Sequence, residues 1–262
     1  MITVGIDEVG YGPSLGPLVV AAVAATDPLR APVPVGDSKR IFSQARGLGT
    51  LEPAVLGFVP APTFRHLLLR LGTDVPDAPW YAEDVRLPAQ PLLAGVRGAW
   101  ATLVDPADFN ARTTRANKSD LLFEIAAELI NRIRGTLPAP VRFLCGKHGG
   151  KRFYRAGLRA RVSKTLRVRA ETPTRSAYEI PGASIDFLQD AEDRHELVAL
   201  ASMIGKYVRE RAMGLFNAWW AARVEGLKPT AGYGLDGRRF WRDIAPAALR
   251  LGVPPDAVRR LR

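Results

Sequence analysis

The 262 residues carry 37 Lys and Arg against 26 Asp and Glu, a formal net charge of +11, with 47% hydrophobic side chains. A chain of this size and apolar content can bury a core as one large domain or two small ones, which excludes collagen-like, low-complexity and disulfide-scaffold classes. The lone cysteine, Cys145, cannot close an internal disulfide, so a reducing, cytoplasmic setting is the expected one.

The N-terminal MITVGIDEVG puts two acids where a signal peptide has its apolar core. ITVGID, residues 2–7, is predicted to be a strand. EVGYGPSLG follows as a sharp turn, with Gly10, Gly12, Gly16 and Pro13 setting its path, and PLVVAAVAA is a second strand. VLGFVP at 55–60 and GVRGAWATLV at 95–104 are expected as further strands. TFRHLLLRLG lies between them as a helix, followed by an irregular, Pro-rich surface stretch over 75–91. NKSD starts a helix from 117 to about 134, on which Leu121, Leu122, Ile125, Leu129, Ile130 and Ile133 recur at helical spacing. VRFLC, 141–145, is a short buried strand, and TLRVR at 165–169 and SAYEIPGASIDF at 176–187 are expected as two more. The apolar pattern from Leu197 to Phe216 marks the strongest helix, and a short basic helical tail begins near Gly234. No repeat or linker divides the chain. Every late apolar run is interrupted by Pro or charge short of the ~18 residues that cross a bilayer, so no membrane partner is expected. Strands alternating with helices make a mixed α/β sheet. The excess positive charge favours a polyanion, nucleic acid first.

Asp7 and Glu8 at a strand end, running into a glycine turn, offer two hard oxygen donors of the kind that hold Mg²⁺ or Mn²⁺. Taken alone, such a pair is more simply a solvated strand end. The surrounding GIDEVGYGPSLGPLVVAAV resembles the N-terminal signature of the type 2 ribonuclease H family, ribonuclease HII. VGDSKR at 35–40, ALASMIGKYVRER at 199–211 and GYG at 232–234 are similar to three later motifs of that family, in the same order. Residues 51–95 match nothing in it.

The resemblance implies a ribonuclease-H-like mixed β-sheet flanked by helices. It implies a single domain over 1–262, with an insertion-like region at 51–95 and a helical C-terminal extension from about 214. The implied reaction is two-metal-ion cleavage of the RNA strand of an RNA·DNA hybrid, or cleavage at a ribonucleotide in duplex DNA, with Mg²⁺ or Mn²⁺ as cofactor and a monomer as the working form. Asp7 and Glu8 carry over as the first two of four metal-binding acids. The third acid's stretch is VRFLCGKH, which puts Cys145 at that position. A neutral thiol, or a soft thiolate, is a poor substitute there, and Cys145 is more simply a small buried residue. That leaves a catalytically impaired family member, binding hybrid or structured nucleic acid without cutting it, as the alternative. Counting back from the ALAS helix puts the fourth acid on Glu192, with Asp193 as the alternate; Asp105 and Asp120 are spare acids.

For substrate binding, the resemblance assigns the Gly10-Tyr11-Gly12 backbone, Ser38, Lys39 and Tyr233, with Tyr11 standing where the family has an arginine. Lys147, His148, Lys151 and Arg152 follow the third-acid strand directly and are candidates for phosphate contacts. His148 is the histidine placed to shuttle a proton. A solvated basic surface would look the same in sequence.

Overall fold

The computed structural model describes residues 1–26, 35–36, 41–43, 46–114 and 116–261. The strands are β1 (Ile2–Val9), β2 (Leu18–Thr26), β3 (Val96–Val104), β4 (Val141–Gly146), β5 (Arg167–Glu171), β6 (Arg175–Ile180) and β7 (Ala183–Leu188). They form one sheet in the order β3-β2-β1-β4-β7-β6-β5. β1, β2 and β3 are an antiparallel meander. β4 then lies parallel to β1, and β7 parallel to β4. The carboxyl ends of β1, β4 and β7 therefore sit side by side, the place where open α/β sheets gather their ligands.

Two layers of helix cover this sheet. Pro106–Thr113 (α3), Lys118–Arg134 (α4) and Arg155–Arg161 (α5) come in the middle of the chain, and the long α6 (Glu196–Ala221) follows β7. Alternation along β1 and β4 sends Val4, Ile6, Phe143 and Cys145 into an apolar layer shared with α4 and α5. β2 is buried on both faces, and its positions Val19, Ala21, Val23 and Ala25 face the α6 side, which explains its unbroken apolar run. Gly5 faces α6 so closely that a Cβ there would meet the Leu197–Val198 backbone. Glycine is required at that crossing, and it sets the height at which α6 begins.

Three expectations are corrected. Residues 55–60 are not a strand: Glu52–Phe58 is a helix, α1, opened by Pro53 and burying Ala54, Val55 and Leu56. Its Glu52 accepts hydrogen bonds from Arg211 and the Tyr207 hydroxyl of α6. The β-branched valines fit either state, and packing on α6 decides it. Residues 176–187 are two strands rather than one, because Pro181 and Gly182, the latter at φ 72°, turn β6 back into β7. The Pro-rich stretch is more than a surface excursion: a 3-10 turn at Pro79–Tyr81 buries Trp80 and Tyr81, with Trp80 edge-on to Phe216 at 5.2 Å. α2 (Phe64–Arg70), α7 (Gly234–Arg250) and α8 (Pro255–Val258) complete the order. No described helix is long and apolar enough to cross a membrane.

Candidate active site

A cleft of about 560 Å³ opens over the carboxyl ends of the parallel strands, and Asp7, Glu8 and Glu192 all line it. Asp7 is 9% exposed and points to the α6 side of β1. Glu192 comes from the 3-10 turn Ala191–Asp193 that joins β7 to α6. The left-handed backbone of Asp190, φ 51°, starts that turn and puts Asp190 on the cleft wall as well. Asp193 is exposed and does not line the cleft. Of the two acids at the helix start, Glu192 is therefore the one that shares the cleft with Asp7.

Cys145 does not reach this cleft. Ile6 pairs with Cys145 across the parallel strands, so both point to the opposite face, where Cys145 is fully buried in the apolar layer. Burial, with Asp186, Asp7 and Glu8 adding repulsion, pushes its thiol pKa up and keeps it neutral. The residue in step with Asp7 is Gly146, which does line the cleft. A Cβ built on Gly146 would lie 3.0 Å from Asp7 Oδ1 and 3.6 Å from Glu8 Oε2. Cys145 therefore faces away from the cleft, and its neighbour Gly146, which has no side chain, faces into it.

Gly10, Tyr11 and Tyr233 line the cleft. Gly12 is exposed beside Tyr233. Burial, then the carboxylates of Glu8 and Asp120, push the Tyr11 phenol upward, so it stays a neutral donor. The Tyr233 ring lies 5.4 Å from the Arg209 guanidinium. Ser38 and Lys39 lie outside the described residues.

The basic segment after β4 departs from expectation. Lys147 lines the cleft, but its ammonium donates to the carbonyls of Thr172 and Pro173 at 3.0 and 2.6 Å. Lys151 is ion-paired to Asp120 at 2.7 Å, and Arg152 donates to the Glu171 carbonyl. Neither lines the cleft. His148 does not line the cleft: it is 3% exposed, wedged against Phe123, Tyr154 and Phe187. Burial, with Lys151 nearby, pulls its pKa from 6.5 to about 3. Asp105 caps α3 by accepting from the Asp108 N–H, and Asp120 sits in the first turn of α4; neither lines the cleft.

Sequence reasoning missed Ser202 and Lys206, one helical turn apart on the cleft face of α6. Lys206 donates to Glu210 at 2.8 Å and lies 4.5 Å over the Phe42 ring. Both belong to the ALASMIGKYVRER motif, so their i,i+4 spacing was the available signal.

A mixed seven-stranded sheet with helices on both faces and further helices after α6 is the ribonuclease-H-like fold. Two solved structures share it. Ribonuclease HII of Archaeoglobus fulgidus, solved in complex with PCNA, is 20% identical with a TM-score of 0.55, the match covering 100% of this chain and 95% of that one. Ribonuclease H2 of Pyrococcus horikoshii is 18% identical with a TM-score of 0.54, covering 100% and 94%. The family model of ribonuclease HII matches residues 4–54. No curated protein matches the chain. The family model thus covers the N-terminal part of the chain, where Asp7 and Glu8 lie, and the two solved structures share the fold.

Proposed function

We propose that the chain is a divalent-cation-dependent endoribonuclease that cuts the RNA strand of an RNA·DNA hybrid, or cuts at a ribonucleotide within duplex DNA. The observation that carries this reading is the convergence of Asp7, Glu8 and Glu192 on one cleft rimmed by the glycine turn and Tyr233.

Among the described residues, no three His, Cys, Asp or Glu are gathered closely enough to hold a metal ion by themselves. The donors still suit one hard cation. Mg²⁺ keeps several waters and usually takes one or two carboxylates, with substrate phosphate completing its shell. Asp7 and Glu8 would hold the ion, with Glu192 across the cleft. Bound there, a divalent ion polarises a phosphodiester and makes a water more acidic. A second ion, which the family resemblance implies, finds less support, because Gly146 contributes no carboxylate beside Asp7.

The chain's own groups then supply the rest. Lys206, steadied by Glu210, places a cation on the wall where phosphate charge would lie. The neutral Tyr11 hydroxyl offers a donor at the mouth. Tyr233 presents a half-exposed ring to a sugar or base, its other neighbour being Arg209.

Cleavage of a labelled RNA·DNA hybrid with Mg²⁺ and with Mn²⁺, and of the same hybrid by Asp7→Asn, tests the reading. Metal-dependent cutting that disappears in the variant is expected. The bare Gly146 favours one other reading, a protein that binds hybrid without cutting it. Retained hybrid binding with no cleavage under either metal would establish that reading instead.

A further inference from the structure

We infer that Arg260 is a positioning residue for the cleft: it orients the Gly10–Tyr11 peptide so that the Tyr11 N–H faces the substrate strand as a donor to its sugar-phosphate oxygens. The inference rests on the nucleic-acid reading above for the identity of the substrate. The geometry underneath it does not.

Arg260 follows α8 and is 4% exposed. Its guanidinium donates to the carbonyl of Gly10 at 2.5 Å and to that of Gly16 at 2.8 and 3.1 Å. Its backbone N–H donates to the Ser14 carbonyl at 2.8 Å, and the preceding Arg259 bridges Leu15. Arg209, fully buried, reaches the same turn from α6 and donates to the Pro17 carbonyl at 3.3 Å. Two guanidiniums thus draw the turn's carbonyls inward.

In a trans peptide the C=O and the following N–H point in opposite directions. With the Gly10 carbonyl held on Arg260, the Tyr11 N–H points away from it, on the side where Gly10 and Tyr11 line the cleft. Gly10 is obligatory in this arrangement. Its φ is 86°, and a Cβ would sit 2.5 Å from Arg209 Nε. Arg209 has Glu210 at 3.6 Å, and two guanidiniums beneath the turn favour an oxygen-rich group above it. Arginine suits this place better than lysine, because its planar fork holds the two carbonyls in one fixed geometry.

The test uses the full chain with Arg260→Gln and Arg260→Lys. The measurements are KM and kcat on an RNA·DNA hybrid and amide exchange over residues 10–17. For Arg260→Gln we expect KM to rise about tenfold, the loss that follows from removing a charged hydrogen-bond donor. kcat should change little and exchange over 10–17 should quicken, with partial recovery in Arg260→Lys. An unchanged KM, or unchanged exchange over 10–17, overturns the assignment. If the parent chain neither binds nor cuts hybrid, the substrate reading fails, and exchange over 10–17 still decides whether Arg260 positions the turn. Should Arg260→Gln not fold, the same readings on Arg260→Lys decide.

Discussion

At Gly146 the absence of a side chain and the register of two parallel strands together set what the cleft can hold. Gly146→Asp would place a carboxylate against Asp7 and Glu8, with a Cβ contact of 3.0 Å that the Asp7 side chain can relieve by a small rotation. We expect about a tenfold gain in Mn²⁺ affinity by calorimetric titration, the scale of one further charge-assisted ligand; an unchanged affinity would show that position 146 does not face the ion. Cys145→Asp is the matched control. Its carboxylate would enter the apolar layer and cost about 3 kcal/mol or more, with no gain in metal binding. His148 makes a separate, pH-dependent prediction. It is neutral in the folded state down to about pH 3 but takes up a proton near pH 6.5 when unfolded, so the unfolded chain binds more protons between those values. Stability therefore falls on acidification through that window, by up to about 1.4 kcal/mol per pH unit from this one group. His148→Phe should flatten that fall in urea titrations at stepped pH; an identical slope in both proteins would remove His148 as its source. The shared placement of Asp7 and Glu8 was legible from sequence because it is local to one motif. That Gly146 rather than Cys145 faces the cleft was not, since the strand register that decides it pairs residues about 140 apart, and no local pattern records it.

At the level of elements, α6 is the lever that places Glu192. Its start is fixed by contact with Gly5, where any Cβ would strike the Leu197–Val198 backbone. Gly5→Ala should cost about 1–3 kcal/mol of stability as overpacking and weaken Mn²⁺ binding with it, since the turn bearing Glu192 must move. Loss of stability without loss of metal affinity would separate α6 placement from the site. The sequence count back from the ALAS helix found Glu192 because the helix and its entry turn keep one fixed spacing. It could not find the helical state of α1, where Val55 and Val59 read as strand and the deciding partners, Tyr207 and Arg211, lie about 150 residues away. Asn117, which caps α4 by accepting from the Asp120 N–H, was found by its local signal. Asn117→Ala is expected to cost about 1 kcal/mol by chemical denaturation.

Over the whole molecule, the +11 charge is unevenly used. Lys147, Lys151 and Arg152 are engaged with the protein itself, while Arg209 and Arg260 spend their charge beneath the glycine turn. Arg155, Arg159 and Arg167 are exposed along α5 and β5; on the proposed function they would offer phosphates a sequence-independent surface. Hybrid affinity should accordingly fall by about 10²-fold or more between 50 and 200 mM salt, a loss that follows from releasing several counterions. A salt-independent affinity would count against a phosphate-binding surface of any extent.

The bond from Arg260 to the Gly10 carbonyl joins residues 250 positions apart, and the Leu15–Arg259 bridge spans nearly as much. During synthesis, β1 and β2 can pair as soon as they emerge, yet the turn between them stays unpinned until Arg260 has been made and has docked. The carboxylates are thus made about 250 residues before the arginine that shapes the floor of their cleft. Over that stretch a nascent chain would carry its acids without a finished cleft, and the proposed competence to engage nucleic acid would arrive in a single closing step.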